Sequence, residues 1–453
     1  FIEQMKEFLI SVPKIALYLS LGYGENVNSE YVNMASGCKN CYLVFNTGPA
    51  EETLYSRGLR NSMDSSDLYF GFAIDRCYES INIQESNGVT HGQNVVSCVD
   101  SHFLLNCSGL INCFGCVNLR NKSNCFLNEQ LSKDEYNKRV SEIMGSSERM
   151  AQFRKEFDEF ALKFPRRENN NLQSVDSTGD YLSECKNVKD SFEILKSEDC
   201  RYTFSSKLIK DSIGTIGYGT NCERLLECVA VGYSTNIVGT YGAENCQNIL
   251  YGFYTSNCND CVGCDALKNG SFAVFNKEYS KEEYEEIKSH IVSELKDQDL
   301  YGLIMPPALA PFAYNETVAQ DNFPLTKEEA IGQGFRWEDD IQQTRGKETI
   351  HSDDIPDHIN DVLDSITHEV LRCDSCERNY RITDAEFLFY RKMKLPIPRI
   401  CFYCRHQDRI LRRGPYKFWD RKCDNCSKDI ITNYSPDRSE IVYCESCYQK
   451  EVM

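Results

Sequence analysis

The sequence predicts a mainly β protein with short helices, in which duplicated parallel β-helix-like solenoid units precede small zinc-binding modules of the zinc-ribbon or treble-clef kind. Three observations predict this. A 22-residue segment recurs 148 positions downstream, a short Cys-x-Asn/Asp unit recurs within both copies, and four Cys-x-x-Cys pairs close the chain. A pair of β-sandwiches is the second architecture that fits the same strand-rich composition.

Length and composition set the frame. At 453 residues the chain exceeds the size at which one compact core stops growing, so several domains or one elongated repeat are expected. With 41% apolar and 26% charged residues it has enough apolar side chain to bury a core, which excludes wholesale disorder. A net charge of -18 repels phosphate backbones and excludes a general nucleic-acid binder.

Residues 1–30 read as a helical lead-in. Its apolar stretch, Phe8 to Leu21, is broken by Pro13 and Lys14 and is too short to cross a bilayer. No basic start or small-residue cleavage site of a secretory signal precedes it, and the first residue is Phe, which predicts an N-terminal truncation. Residues 31–131 and 176–279 read as the two solenoid units, with 132–175 a helical bridge, 280–300 a helix and 301–370 an extended acidic linker containing a short helix.

The duplication aligns Gly115–Tyr136 with Gly263–Tyr284 without gaps, and ten of the 22 positions agree. Each copy ends in a capping box, Ser132-Lys-Asp-Glu135 and Ser280-Lys-Glu-Glu283, so helices start near Lys133 and Lys281. Another helix is expected from Glu148 to Lys163, stopped by Pro165. The short unit occurs at Cys38-Lys-Asn-Cys41, Cys185-Lys-Asn-Val188, Cys246-Gln-Asn-Ile249 and Cys258-Asn-Asp-Cys261. Small inward side chains stack in successive coils, while Asn at a corner tolerates left-handed backbone and bonds its neighbour above. In the linker, Pro306, Pro307 and Pro311 mark extended chain and Thr326-Lys-Glu-Glu329 caps a helix. The acidic run Trp337–His358 reads as a linker or a wrapping segment.

Residues 371–422 and 423–453 read as the two zinc modules. Cys373, Cys376, Cys401 and Cys404 form one candidate site, and Cys423, Cys426, Cys444 and Cys447 the other. Two cysteines separated by two residues make a knuckle whose thiolates converge on one ion, and a second pair completes a tetrahedron. Four thiolates saturate zinc, so both ions are expected to be structural rather than catalytic. An interleaved pairing, first pair with third and second with fourth, fits the spacing too. A hairpin turning at Ser435-Pro-Asp-Arg438 is expected to bring the last two pairs together. Tight pairs without an export signal favour reduced thiols and a cytoplasmic protein.

From Leu371 to Cys426 there are 14 Lys/Arg against 7 Asp/Glu. Arg405, Arg409, Arg412, Arg413, Lys417, Arg421 and Lys422 lie among Tyr403, Tyr416, Phe418 and Trp419, a composition that suits phosphate contact and base stacking and equally suits a solvated basic face. Cys113/Cys116 and Cys258/Cys261/Cys264 have ligand spacing for a further metal or an iron–sulfur centre, against which stands the ordinary burial of free cysteine. His351, His358 and His368 with Asp353, Asp354 or Asp357 make a weaker candidate. No phosphate-binding glycine loop, nucleophile elbow or His-Glu-x-x-His is present.

Phe114-Gly-Cys-Val-Asn-Leu-Arg-Asn-Lys122, Asn315-Glu-Thr-Val-Ala-Gln320 followed by Phe323-Pro-Leu-Thr-Lys-Glu-Glu329, and Tyr434-Ser-Pro-Asp-Arg438 before Val442-Tyr-Cys444 resemble an uncharacterised family of cysteine-rich zinc-ribbon proteins of candidate-phylum bacteria. The resemblance spans nearly the whole chain and implies the architecture, not an activity. It also implies a further zinc ribbon ahead of Phe1 and fuller Cys-x-x-Cys runs in the solenoid than this chain has. The functional expectation is a non-catalytic zinc-binding scaffold or adaptor with no membrane contact, whose basic module meets nucleic acid, a ribonucleoprotein or a protein. An enzyme with its site in the solenoid groove and a purely structural assembly subunit are the alternatives.

Overall fold

The computed structural model describes residues 1–14 and 24–452. The part of the apolar N-terminal stretch beyond Lys14 lies outside the described residues. The chain divides into two compact units, each assembled from separated segments: Phe1–Ile15, Arg167–Asp339 and Tyr416–Arg438 in one, Ala16–Arg166, Asp340–Pro415 and Ser439–Met453 in the other.

Each unit is built on a parallel β solenoid with a coil of twelve residues. In the first, Cys38 pairs with Ala50, Ala50 with Ser62, Ile81 with Gln93 and Gln93 with Leu105. In the second, Phe192 pairs with Phe204, Thr235 with Gln247 and Gln247 with Asn259. Within a coil the backbone repeats every three residues. Asn94, Ser97, Asp100, Phe103 and Asn106 all have positive φ. Each is followed by a buried side chain: Val95, Cys98, Ser101, Leu104 and Cys107. A triplet is thus one extended residue, one left-handed residue and one inward residue.

This triplet explains the Cys-x-Asn unit. Cys and the residue three positions later point inward, while Asn occupies the left-handed corner, where its short polar side chain lowers the cost of positive φ. The corner amides form ladders up the solenoid: Asn82 donates to Asn94 at 3.0 Å and Asn94 to Asn106 at 3.1 Å. In the second unit Asn236 donates to Asn248 and Asn248 to Asp260, both at 2.9 Å. Inward Ser and Cys also tie coils together. Ser80 Oγ donates to its own coil at Tyr78 O (2.7 Å) and accepts from Gly92 N above (2.9 Å). Cys98 Sγ does the same toward Val96 O (3.4 Å) and Leu110 N (3.3 Å). A small inward side chain with one donor and one acceptor therefore satisfies backbone groups that would otherwise be buried unpaired. One residue is inserted in the second solenoid, where Ile209 pairs with Cys222 and the register shifts between Tyr218 and Thr220.

The duplicated segment is the end-piece of each solenoid. In both copies the last strand folds back antiparallel, Cys125–Phe126 on Glu129–Gln130 and Ala273–Val274 on Lys277–Glu278. Asn128 closes this turn by accepting from Val117 N at 2.9 Å and donating to Val117 O at 3.0 Å. Asn276 repeats this on Asp265 at 3.0 and 2.7 Å. The shared glycine has positive φ in both, and a Cβ there would lie 2.7 Å from the Phe153 ring at Gly115 and 3.0 Å from the Phe275 ring at Gly263.

Helix α1 (Ile2–Ser11) lies in the unit of the second solenoid, where Phe1, Met5 and Leu9 join Tyr251, Tyr284 and Leu295 in one core. Helices α2 (Lys133–Ile143) and α4 (Lys281–Asp297) follow the end-pieces, and α3 (Ser147–Ala161) lies between them in sequence. Ser132 and Ser280 cap α2 and α4, with the full reciprocal box at Ser280. Short helices α5 (Ala319–Asn322) and α6 (Lys327–Gly332) lie in the proline-bearing segment, Thr326 capping the second. Only the end of the acidic run Trp337–His358 wraps into a core: Ile355, followed by Ile359, Val362 and Ile366 beyond the run, is buried with Phe153, Phe157, Phe387 and Tyr390. Helices α7 (Asp384–Met393), α8 (Phe402–Arg413) and α9 (Glu445–Val452) complete the tail.

Candidate metal centres

Both tail tetrads are assembled the same way. The first pair of each sits at the turn of a short antiparallel hairpin: Leu371–Arg372 pairs with Asn379–Tyr380 around Cys373 and Cys376, and Trp419–Lys422 with Asp429–Thr432 around Cys423 and Cys426. The knuckle geometry is shared. Cys373 N donates to Arg378 O at 3.0 Å and Glu377 N to Cys373 O at 2.9 Å, matched by Cys423 N to Lys428 O and Ser427 N to Cys423 O, both 2.8 Å. Glu377 and Ser427 have positive φ, which turns the chain back after each second cysteine. The second pair of each tetrad lies at a helix start, Cys401 as N-cap of α8 with Cys404 in its first turn, and Cys444 immediately before α9 with Cys447 inside it.

Within each tetrad the four Sγ atoms all lie within 4.8 Å of one another. Cys373–Cys404 and Cys376–Cys401 are each 3.7 Å apart. Four thiolates about 2.3 Å from a central ion stand about 3.8 Å from each other, so these spacings match a metal-bound tetrahedron, while a disulfide needs about 2.05 Å. The grouping is sequential, first pair with second and third with fourth; the interleaved arrangement does not occur. The expected hairpin turning at Ser435–Arg438 is corrected. Arg438 N does bond Ser435 O at 3.1 Å, but the hairpin turns at the Cys423–Cys426 knuckle, and the chain after Arg438 instead meets Arg166, whose N–H donates to Ile441 O at 2.7 Å.

The thiols of the first site are held differently. Burial raises the Cys373 thiol, but N–H groups of Cys401, Cys376 and Ser375 outweigh that and bring it down to about 7. Burial pushes Cys404 up to about 11 and Cys401 higher still, so a metal must displace protons from these two to bind.

The other cysteine candidates are packed thiols. Cys113, Cys116, Cys258, Cys261 and Cys264 are all inward residues of the solenoids. Among the described residues only the two tail tetrads bring three or more ligand atoms into mutual reach. His351, His358 and His368 are not brought together either: His351 and His368 are exposed, and His358 lies against Gly145. Asp357 caps α3, accepting from Glu148 N at 2.8 Å.

The basic residues are largely committed to carboxylates. Arg405, Arg409, Arg412 and Arg413 recur at the spacing of one helix stripe, and α8 buries Arg405, Arg409 and Arg413. Arg405 meets Asp67 at 3.0 Å and Glu386 at 3.3 Å. Arg409, with 0% side-chain exposure, meets Asp67 at 3.1 Å and also pairs with Glu79, which Arg412 reaches at 2.9 Å. Tyr55 and Tyr390 hydroxyls donate to Glu386 at 2.9 and 2.6 Å, and Arg413 donates to Tyr69 Oη at 2.7 Å. Burial raises Asp67, but Arg405 and Arg409 outweigh it and hold its carboxyl below the usual range. Elsewhere in the tail, Arg421 is near Asp424 at 3.4 Å, Lys422 pairs with Asp429 at 2.6 Å, and exposed Lys417 lies over the Trp419 ring at 5.3 Å. The seven cations therefore do not form one exposed strip. No local signal points to this network: arginines at helical spacing ordinarily line a solvated face, and the carboxylates that bury these lie more than three hundred residues away in the case of Arg409.

A groove of about 810 Å³ runs along the first solenoid, with Lys39, Glu51, Met63, Asp75 and Asn87 contributing at twelve-residue intervals. Lys39 and Glu51 pair with each other at 2.5 Å.

No helix among the described residues is long and apolar enough to cross a membrane. No family model matches the chain, and no curated protein matches it. Among solved structures, the chain is similar to a protein from Desulfovibrio desulfuricans G20 whose title names an acetyltransferase, at 9% identity over 66% of this chain and 91% of that one, with a TM-score of 0.12. A TM-score this low supports neither a shared fold nor a shared activity.

Proposed function

We propose that this chain is a non-catalytic, zinc-braced scaffold: two structural zinc ions, each held by four cysteines, shape a tail of treble-clef-like modules carried by β solenoids. The observation that carries the reading is the pair of sulfur tetrads with tetrahedral spacing. Zinc is the ion favoured by four thiolates in a closed site, and four thiolates leave no position for substrate. A knuckle on a hairpin followed by a pair at a helix start is the arrangement of treble-clef fingers, and it agrees with the resemblance to cysteine-rich zinc-ribbon proteins. Thiols in this number favour a reducing compartment such as the cytoplasm. The role of such a scaffold is to present surfaces to a partner.

The nucleic-acid form of the reading rests on fewer cations than the composition promised, since Arg405 and Arg409 are paired with buried carboxylates and Arg413 is buried against Tyr69. Elemental analysis of the reduced, purified chain tests the central point: two zinc ions per chain are expected, and their absence, or sulfurs cross-linked to each other, overturns it. Binding to single-stranded RNA or DNA across a salt series tests the partner; no binding at low salt, where counterion release favours it most, removes nucleic acid from the reading.

A further inference from the structure

The unit of the first solenoid contains a feature that the scaffold reading does not use. A cavity of about 180 Å³ lies beside the solenoid, walled by Tyr78, His91 and Phe103 from the coils, by Met150 and Arg154 from α3, and closed by the stretch from Leu395 to Arg399. Its walls are aromatic: His91 stacks on Phe103 with ring centroids 4.4 Å apart and meets Tyr78 edge-on at 5.7 Å. Its charged groups are both cations, Arg154 and Arg399. Arg399 Nη2 is occupied by the carbonyls of Ile355 (3.0 Å) and Pro356 (3.1 Å), but its buried Nη1 has no hydrogen-bond partner among the described residues. The same holds for the buried His91 Nδ1. Arg154, the second cation of the wall, is paired with Asp408 at 3.0 Å.

The unmet Nη1 of Arg399, with the guanidinium of Arg154 across an aromatic pocket, makes a site for an anion with an apolar body. An unmet buried donor such as Arg399 Nη1 costs about 1–3 kcal/mol, which an acceptor from a ligand relieves. Size limits the body: an apolar cavity of about 150 Å³ accommodates benzene, and drug-sized ligands need about 300–1,000 Å³. We propose that this cavity binds a small carboxylate on an aromatic ring, a benzoate-sized monoanion, with Arg399 as the anchoring cation and the Tyr78, His91 and Phe103 rings as its walls. Burial, with Arg154 and Arg412 nearby, holds the His91 imidazole well below its usual range, so it is neutral at pH 7 and its ring packs as an aromatic wall.

Benzoate titrated into the full-length, metal-loaded chain at pH 7, followed by saturation-transfer NMR and calorimetry, tests this. Saturable binding is expected, weakened at least about ten-fold by Arg399→Gln and, in the ligand, at least about ten-fold by replacing benzoate with neutral benzamide. Because Arg399 is two residues from Cys401, Met150→Trp provides an independent variant on the opposite wall: filling the cavity should abolish binding while metal content and circular dichroism stay unchanged. No saturable benzoate binding up to about 10 mM, binding indifferent to both substitutions, or binding of inorganic phosphate but not benzoate would each overturn the proposal.

Discussion

At the residue scale, the buried charges decide most. Arg409 is fully buried between Asp67 and Glu79, so Arg409→Met takes one buried cation from both carboxylates and leaves Asp67 only Arg405 and Glu79 only Arg412. A loss of about 3–5 kcal/mol in denaturant unfolding is expected, partly recovered when Asp67→Asn and Glu79→Gln are added. Two buried titrating groups set opposite pH dependences. His102, held by Thr90 at 2.8 Å, is lowered from 6.5 to about 4 by burial. The fold takes it neutral, so its contribution is complete above about pH 6.5 and is lost as pH falls toward 4. Asp180 is raised from 3.8 to about 6 by burial, against hydrogen bonds from Asn170 and Tyr181. The fold prefers it protonated, so its contribution is present below about pH 3.8 and is lost as pH rises through 6. Asp180 also accepts from Asn433 at 2.7 Å, which ties the Trp419–Thr432 hairpin region to the second solenoid within one unit. Acidification from pH 6.5 to 4 should therefore weaken hydrogen-exchange protection around His102 while strengthening it around Asp180, and Asp180→Asn should flatten the second effect.

At the scale of elements, the triplet rule separates the two classes of cysteine. Ser and Cys occupy equivalent inward positions and make equivalent bonds between coils, as Ser80 and Cys98 do. Cys98→Ser and Cys258→Ser are therefore expected to leave metal content at two ions and stability within about 1.5 kcal/mol of wild type. Cys404→Ser is expected to remove one ion. An apolar inward residue behaves differently: Ile249→Ala opens a cavity in a coil interior and should cost about 2–5 kcal/mol. Helix starts were legible from Ser132, Ser280 and Thr326 because a cap is a local bond within four residues. The hairpin around Ser435 was misplaced because a Pro-Asp turn specifies a local bend and says nothing of which strand the following segment meets.

At the scale of the molecule, the proposed zinc sites and the solenoids are separable supports. Stripping the ions with a strong chelator under reducing conditions should abolish hydrogen-exchange protection over 371–413 and 419–447 and leave it intact over 80–117 and 225–262, because the coil interiors are closed by their own side chains. The sequence by itself determined the duplicated segment, the recurring Cys-x-Asn unit that favoured a solenoid over a pair of β-sandwiches, and all eight metal-ligand candidates, since each depends on spacing within a few residues or on one segment matching another. Only the tertiary structure decided that separated segments gather into each unit, that the acidic linker contributes Ile355, Ile359, Val362 and Ile366 to a core, and that the tail arginines face Asp67, Glu79 and Glu386. These outcomes depend on partners more than three hundred residues apart in the case of Arg409, and local composition cannot specify which distant carboxylate a cation will meet.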